Sequence, residues 1–108
     1  MKRKTLGLLG CSLLLASAAQ AAGAPDGKTL FTERCGMCHQ TNGMGVGLLA
    51  RRPGDTSKGL LESRTDLSAA VVKVVVRNGI VNMPRISRGE VSDPELALIA
   101  DYLSRGKP

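Results

Sequence analysis

The run Cys35-Gly36-Met37-Cys38-His39 constrains this 108-residue chain more than any other stretch. Two cysteines with two residues between them, followed at once by histidine, form the signature of covalent haem attachment. The reason is geometric. Residues three apart on a helix share a face, so both sulfurs can bond the two vinyl groups on one edge of the porphyrin. His39 then turns its imidazole under the iron as the proximal ligand, and Gly36 keeps the crowded side of that turn open. Other chemistries suit the run less well. A zinc site needs two further Cys or His ligands, yet His39 is the only histidine and Cys11 the only other cysteine. A thioredoxin-like pair belongs in a βαβ context, which the sequence lacks. A structural disulfide would leave the adjacent histidine without a role.

Three methionines compete for the second axial position. Met37 lies inside the attachment turn and cannot reach the opposite face. Met44 follows too closely, in a Gly-flanked stretch that must first leave the proximal side. Met83 stands well downstream in Asn78-Gly79-Ile80-Val81-Asn82-Met83-Pro84. Pro84 restricts Met83 to extended backbone geometry, which gives the sulfur a fixed direction. The alternative use of Met83 is core filling, a common task for methionine. With His39 and Met83 as the metal ligands, the iron is closed to substrate, and the thioether favours the ferrous state and raises the reduction potential. The expected chemistry is outer-sphere transfer of single electrons.

Composition points the same way. Phe31 and Tyr102 are the only aromatic residues, too few for so short a chain to fill a core without a cofactor, metal or partner. Met1-Lys2-Arg3-Lys4, the apolar stretch Leu6 to Ala18, and Ala19-Gln20-Ala21 together read as a cleaved secretory signal peptide over residues 1–21. The stretch is shorter than the roughly 20 residues a bilayer requires, so no membrane span is expected. The second domain boundary follows: residues 22–108 form one periplasmic domain. A lipoprotein anchored at Cys11 is the alternative, since Leu8-Leu9-Gly10-Cys11 loosely resembles a lipobox. It would leave only Leu6 to Gly10 as the hydrophobic region, against the usual roughly 7–15 residues. Loss of Lys2, Arg3 and Lys4 lowers the net charge from +6 to +3. The remaining basic residues are scattered without interleaved aromatics, so no nucleic-acid partner is expected.

The pattern of residues predicts three helices. The first runs from Asp26 to Cys35, with Asp26 near its start. Residues 40–60 hold five glycines and read as loop. Asp66 is placed to cap a second helix, Leu67 to Arg77, ending at Asn78-Gly79. Its valines suit a strand equally; the cap and the stop favour helix. Residues 80–91 read as loop. Ser92-Asp93-Pro94-Glu95 is a capping box that opens a last helix to about Ser104, with Leu96, Ile99, Ala100 and Leu103 on one stripe and Gly106 closing it.

With Cys35, Cys38, His39 and the Met83-Pro84 pair in place, residues 26–104 resemble a class I c-type cytochrome. That resemblance implies an all-α class I cytochrome c fold, three to four helices wrapped around one covalent haem c. It further implies that the first and last helices cross, with Gly27, Phe31 and Tyr102 packing at the crossing. Glu62-Ser63-Arg64, Val76-Arg77-Asn78-Gly79, Met83-Pro84 and Ala100-Asp101-Tyr102-Leu103 are similar to the small cytochrome subunit of p-cresol methylhydroxylase-type flavocytochromes. In those, the cytochrome takes electrons from a flavin subunit. Two departures stand out. The family's Gly-x-Gly-Pro is replaced by Gly45-Val46-Gly47-Leu48, so the carbonyl that accepts from the proximal imidazole would be that of Leu48. The stretch Leu49 to Leu60 is also longer, with Arg51-Arg52-Pro53-Gly54-Asp55 at its tip.

Arg64 suits a haem propionate, because a guanidinium pairs well with a carboxylate; a solvated surface arginine is the plain alternative. Arg51, Arg52, Arg85 and Arg88 are candidates for a rim that steers an acidic partner, against simple solvent exposure. The expected function is an electron carrier rather than an enzyme. Its redox partners are a dehydrogenase donor, for which a flavoprotein subunit is a candidate, and a cytochrome or oxidase acceptor. Two alternatives stay open: a haem enzyme or gas sensor with a displaceable Met83, and an interacting subunit whose haem is structural.

Overall fold

In a computed structural model, residues 23–52 and 56–105 are described. The leader with Cys11, the tip Pro53-Gly54-Asp55, and Gly106 lie outside the described residues. Four α-helices follow one another: α1 (Gly27–His39), α2 (Met44–Ala50), α3 (Ala69–Asn78) and α4 (Asp93–Ser104). Short 3₁₀ turns at Thr56–Gly59 and Leu61–Ser63 lie between α2 and α3.

Helix α1 starts where the sequence indicates, with the Asp26 carboxylate accepting from the Thr29 N–H at 2.8 Å. It does not stop at Cys35. It continues to His39, so the whole attachment motif is helical. The end is closed by Gln40, whose N–H donates to the Gly36 carbonyl at 2.9 Å and whose side chain donates to Thr32 Oγ1 at 3.2 Å.

Two further expectations are corrected. The glycine-rich stretch after the motif is not all loop, because Met44–Ala50 is helical. Packing of α2 against α1 and the Thr56–Gly59 turn outweighs the poor helix propensity of Gly45 and Gly47. Asp66 does not cap α3. Both its carboxylate oxygens accept from Arg64, each at 2.8 Å, and Ser68 accepts from the Val71 N–H instead. The valine run is a helix, as its stop signal suggests, and it buries Val72 and Val76 while exposing Val71 and Val74. At α4 the capping box forms in full: Ser92 Oγ accepts from the Glu95 N–H, and Glu95 accepts from the Ser92 N–H at 2.7 Å.

The core sits where α1 and α3 pack on α4. Phe31, Leu30 and Ile99 are its most enclosed large side chains, each stabilising the fold by roughly 1.5–3 kcal/mol through burial. At the α1–α4 crossing, a Cβ on Gly27 would strike the Leu98 carbonyl and lie 2.8 Å from Tyr102 Cβ, so only glycine allows this approach. The Phe31 and Tyr102 rings meet there at 6.0 Å between centroids, tilted by 46°. Arg34 joins Glu95 across the same crossing at 3.3 Å. Among the described residues there is no β-strand, only the isolated Ile80–Met83 bridge, and no helix is long and apolar enough to cross a membrane.

Candidate functional site

Cys35 and Cys38 lie one turn apart on α1, both half-buried and both free thiols. Cys35 packs against the core. Burial, with the neighbouring Cys38 thiol adding to it, pushes Cys35 up to about 11, so it is a protonated thiol at neutral pH. Burial holds His39 below its ordinary value, which favours the neutral imidazole that can coordinate a metal. Its Nδ1 is sealed from solvent without a hydrogen-bond partner. The wall against it is Gly45 of α2, where a Cβ would stand 3.2 Å from Nδ1 and 2.7 Å from the Cys38 carbonyl. Leu48 lies inside α2, and no hydrogen bond joins its carbonyl to the imidazole, contrary to the expectation from the family pattern. The helix formed by residues 44–50 is the reason, since it presents Gly45 rather than a Leu48 carbonyl to the ring.

The three candidate methionines differ sharply in setting. Met37 is 93% exposed and Met44 71%, whereas Met83 is half-buried and packs on the same core cluster as Cys35. The backbone of Met83 is doubly tied. Its N–H donates to the Ile80 carbonyl at 2.9 Å, and its carbonyl accepts from the Ile80 N–H at 3.0 Å. Gly79, at φ +72°, makes room for this turn: a Cβ there would be 2.6 Å from the Met83 carbonyl oxygen. Val81 is held at φ +52°, a left-handed conformation costly for a β-branched residue.

The arm that carries Met83 is bound back to α3. The Ile86 N–H donates to the Val76 carbonyl at 2.9 Å. Arg77 donates from Nη1 to the Ile86 carbonyl at 3.0 Å, and from Nη2 to the Val91 carbonyl at 2.9 Å and Asp93 Oδ1 at 2.7 Å. The sequence places Arg77 inside the Val76-Arg77-Asn78-Gly79 stretch that carries the resemblance but gives it no role of its own; its place in the last turn of a helix, just before a long irregular stretch, is the signal for one.

The remaining candidates sit around this centre. Arg64, largely buried, grips Asp66 through its guanidinium, and Lys58 adds to that carboxylate at 3.6 Å. Arg64 chiefly holds Asp66 well below the usual carboxylate range. Of the proposed basic rim, Arg88 is engaged by Asp93 at 2.8 Å, while Arg51, Arg52 and Arg85 are exposed. A cavity of about 630 Å³ opens beyond the motif, lined by residues that include Met44, Val46, Leu48, Arg51 and Leu60; none of Cys35, Cys38, His39 or Met83 lines it.

The donor set fits a covalent porphyrin. Two free thiols share one helical turn, the next residue is an imidazole with one nitrogen sealed, and a half-buried thioether packs on the same core. Among the described residues no group of three or more His, Cys, Asp and Glu could hold a metal ion. Residues 22–103 match the family described as cytochrome C oxidase, cbb3-type, subunit III. The chain belongs to this family of cytochrome c domains. It is also similar to two solved structures of p-cresol methylhydroxylase, one with substrate bound and one at 2.5 Å resolution. Each matches at 36% identity and a TM-score of 0.54, covering 77% of this chain and 93% or 94% of the other. The matched chain is the cytochrome subunit. No curated protein matches by sequence. The four helices therefore form an all-α class I cytochrome c fold, and the cytochrome's role is electron transfer.

Proposed function

We propose that this cytochrome is exported to the periplasm by its leader and carries single electrons from a dehydrogenase, a flavoprotein in particular, to a downstream cytochrome or oxidase. The observation that carries the reading is the shared helical turn of Cys35 and Cys38 with His39 directly after it. Likeness to p-cresol methylhydroxylase supports the flavoprotein donor.

Cys35 and Cys38 would hold the porphyrin covalently through their two thiols. His39 would supply its second ring nitrogen, Nδ1 being walled off by Gly45. Met83 would supply its sulfur from the tied turn at Ile80. When bound, haem c supplies a one-electron couple at iron. The chain's part is to hold both ligands still, so that little rearranges between oxidation states, and to leave no open position for substrate.

The test is expression of the full chain with a working haem-ligation system. The expected product keeps its porphyrin after denaturation, and Cys35→Ser with Cys38→Ser abolishes this retention. The reduced protein is expected to bind no carbon monoxide at neutral pH, and Met83→Ala to lose the weak sulfur–iron absorption and gain carbon monoxide binding. Ready carbon monoxide binding by the unaltered protein would instead point to a haem enzyme or sensor. Reduction by a purified flavoprotein dehydrogenase checks the donor.

A further inference from the structure

Arginine is ordinarily a surface residue, and burying its guanidinium is unfavourable unless its donors are matched. The Arg77 side chain is nevertheless only 17% exposed. Its head is spent on the backbone of a distant segment: the carbonyls of Ile86 and Val91, and then Asp93 at the start of α4. Its Nε is enclosed without a partner, so the position is not one that satisfies the arginine best. The beneficiary is the arm.

Together with the bond from the Ile86 N–H to the Val76 carbonyl, the Arg77–Ile86 contact closes residues 77–86 into a loop. Met83 lies inside that loop, and the Gly79 and Ile80 contacts tie its near end. The Val91 and Asp93 contacts fix where the arm joins α4. We propose that Arg77 is a positioning residue for Met83, strapping the 80–91 arm to α3 so that the thioether is held in one place. The inference rests on the reading of Met83 as an axial ligand. Arginine is needed because a planar fork can serve two carbonyls and a carboxylate at once, whereas a lysine ammonium is a compact point charge. Asp93 is also held by Arg88, so the anchor at the far end does not depend on Arg77 alone.

The experiment titrates the oxidised, haem-loaded full chain with imidazole, which competes with the Met83 sulfur, and follows the sulfur–iron absorption. An arm that opens more often exposes the position more often, and apparent affinity rises with that population. Arg77→Met is expected to bind imidazole about tenfold more tightly than the unaltered protein. Arg77→Lys should lie between the two, because it recovers the charge but not the fork. Urea unfolding of the same samples reports general stability. If Arg77→Met binds imidazole within about twofold of the unaltered protein while its urea midpoint falls, Arg77 is structural only and the proposal is overturned. Should Arg77→Met give no folded protein, Arg77→Lys decides by the same criterion. Failure of the Met83 reading looks different: the unaltered protein then lacks the sulfur–iron band, or Met83→Ala retains it.

Discussion

The two sides of the candidate haem site are built by different means. On the attachment side, Cys35, Cys38 and His39 lie within one continuous helix, and helical pitch alone sets their relative placement. On the methionine side, residues 80–91 form no helix or strand, and contacts from outside the arm hold it: Gly79 under the turn, Val76 and Arg77 on α3, and Asp93 at the start of α4. On the proposed reading, groups that become covalently tethered need only a local scaffold, whereas a thioether ligand that must stay in place without a covalent bond needs tertiary bonds at both ends of its segment.

The hardest test of this contrast removes what the two sides share. Phe31 is fully buried where α1 meets α4, so Phe31→Ala is expected to cost about 3–5 kcal/mol. Denaturant unfolding should show the loss, with both sides failing in one transition. Two separate transitions would mean that the arm does not depend on the common core.

Gly79→Ala should separate the sides. The backbone of Gly79, at φ +72° and ψ 170°, is one that essentially only glycine adopts, which alone makes the change unfavourable by about 1–3 kcal/mol, and the new Cβ would press on the Met83 carbonyl. The sulfur–iron absorption is expected to weaken while porphyrin retained after denaturation stays constant. A fall in retention would place the damage on the attachment side and break the contrast.

The smallest effect is that of pH. Hydrogen bonds from Arg88 and Arg77 hold Asp93 below its ordinary value, and the Thr29 N–H does the same for Asp26. A depressed carboxylate contributes stability above its unfolded pKa, near 4, and that contribution is lost as pH falls through the folded value. Tyr102, donating to Glu62, is pushed up to about 12, so its contribution is present at neutral pH and lost above about 10. Melting temperature should therefore be flat from about pH 7 to 8, slip below about pH 6.5 because unfolding lets the buried, neutral His39 take up a proton, and fall further below about pH 4. Because Asp93 anchors the arm and Asp26 caps α1, the acid loss should touch both sides. Asp93→Asn should remove more of it than Asp26→Asn, since Asp93 serves two arginines.

Much of this was legible in the residues because it depends on neighbours in the chain. The capping box at Ser92 and the stop at Asn78-Gly79 are local signals, and both appear in the fold. The Gly27, Phe31 and Tyr102 meeting came from resemblance rather than from pattern, and the crossing of α1 with α4 shows it. The start of α3 was misjudged because two capping residues stood close together. Only the fork from Arg64 decides that Asp66 is occupied and Ser68 is the cap.

By itself the sequence determined the motif, three of the four helices in order, and the family to which they belong, since periodicity, caps and a five-residue signature act over one or two turns. Tertiary structure alone decided that α2 forms, that Gly45 walls off the imidazole, and that Arg77 clamps the arm carrying Met83. Each of these rests on packing or hydrogen bonds between different elements of the fold, and no local preference encodes such a contact.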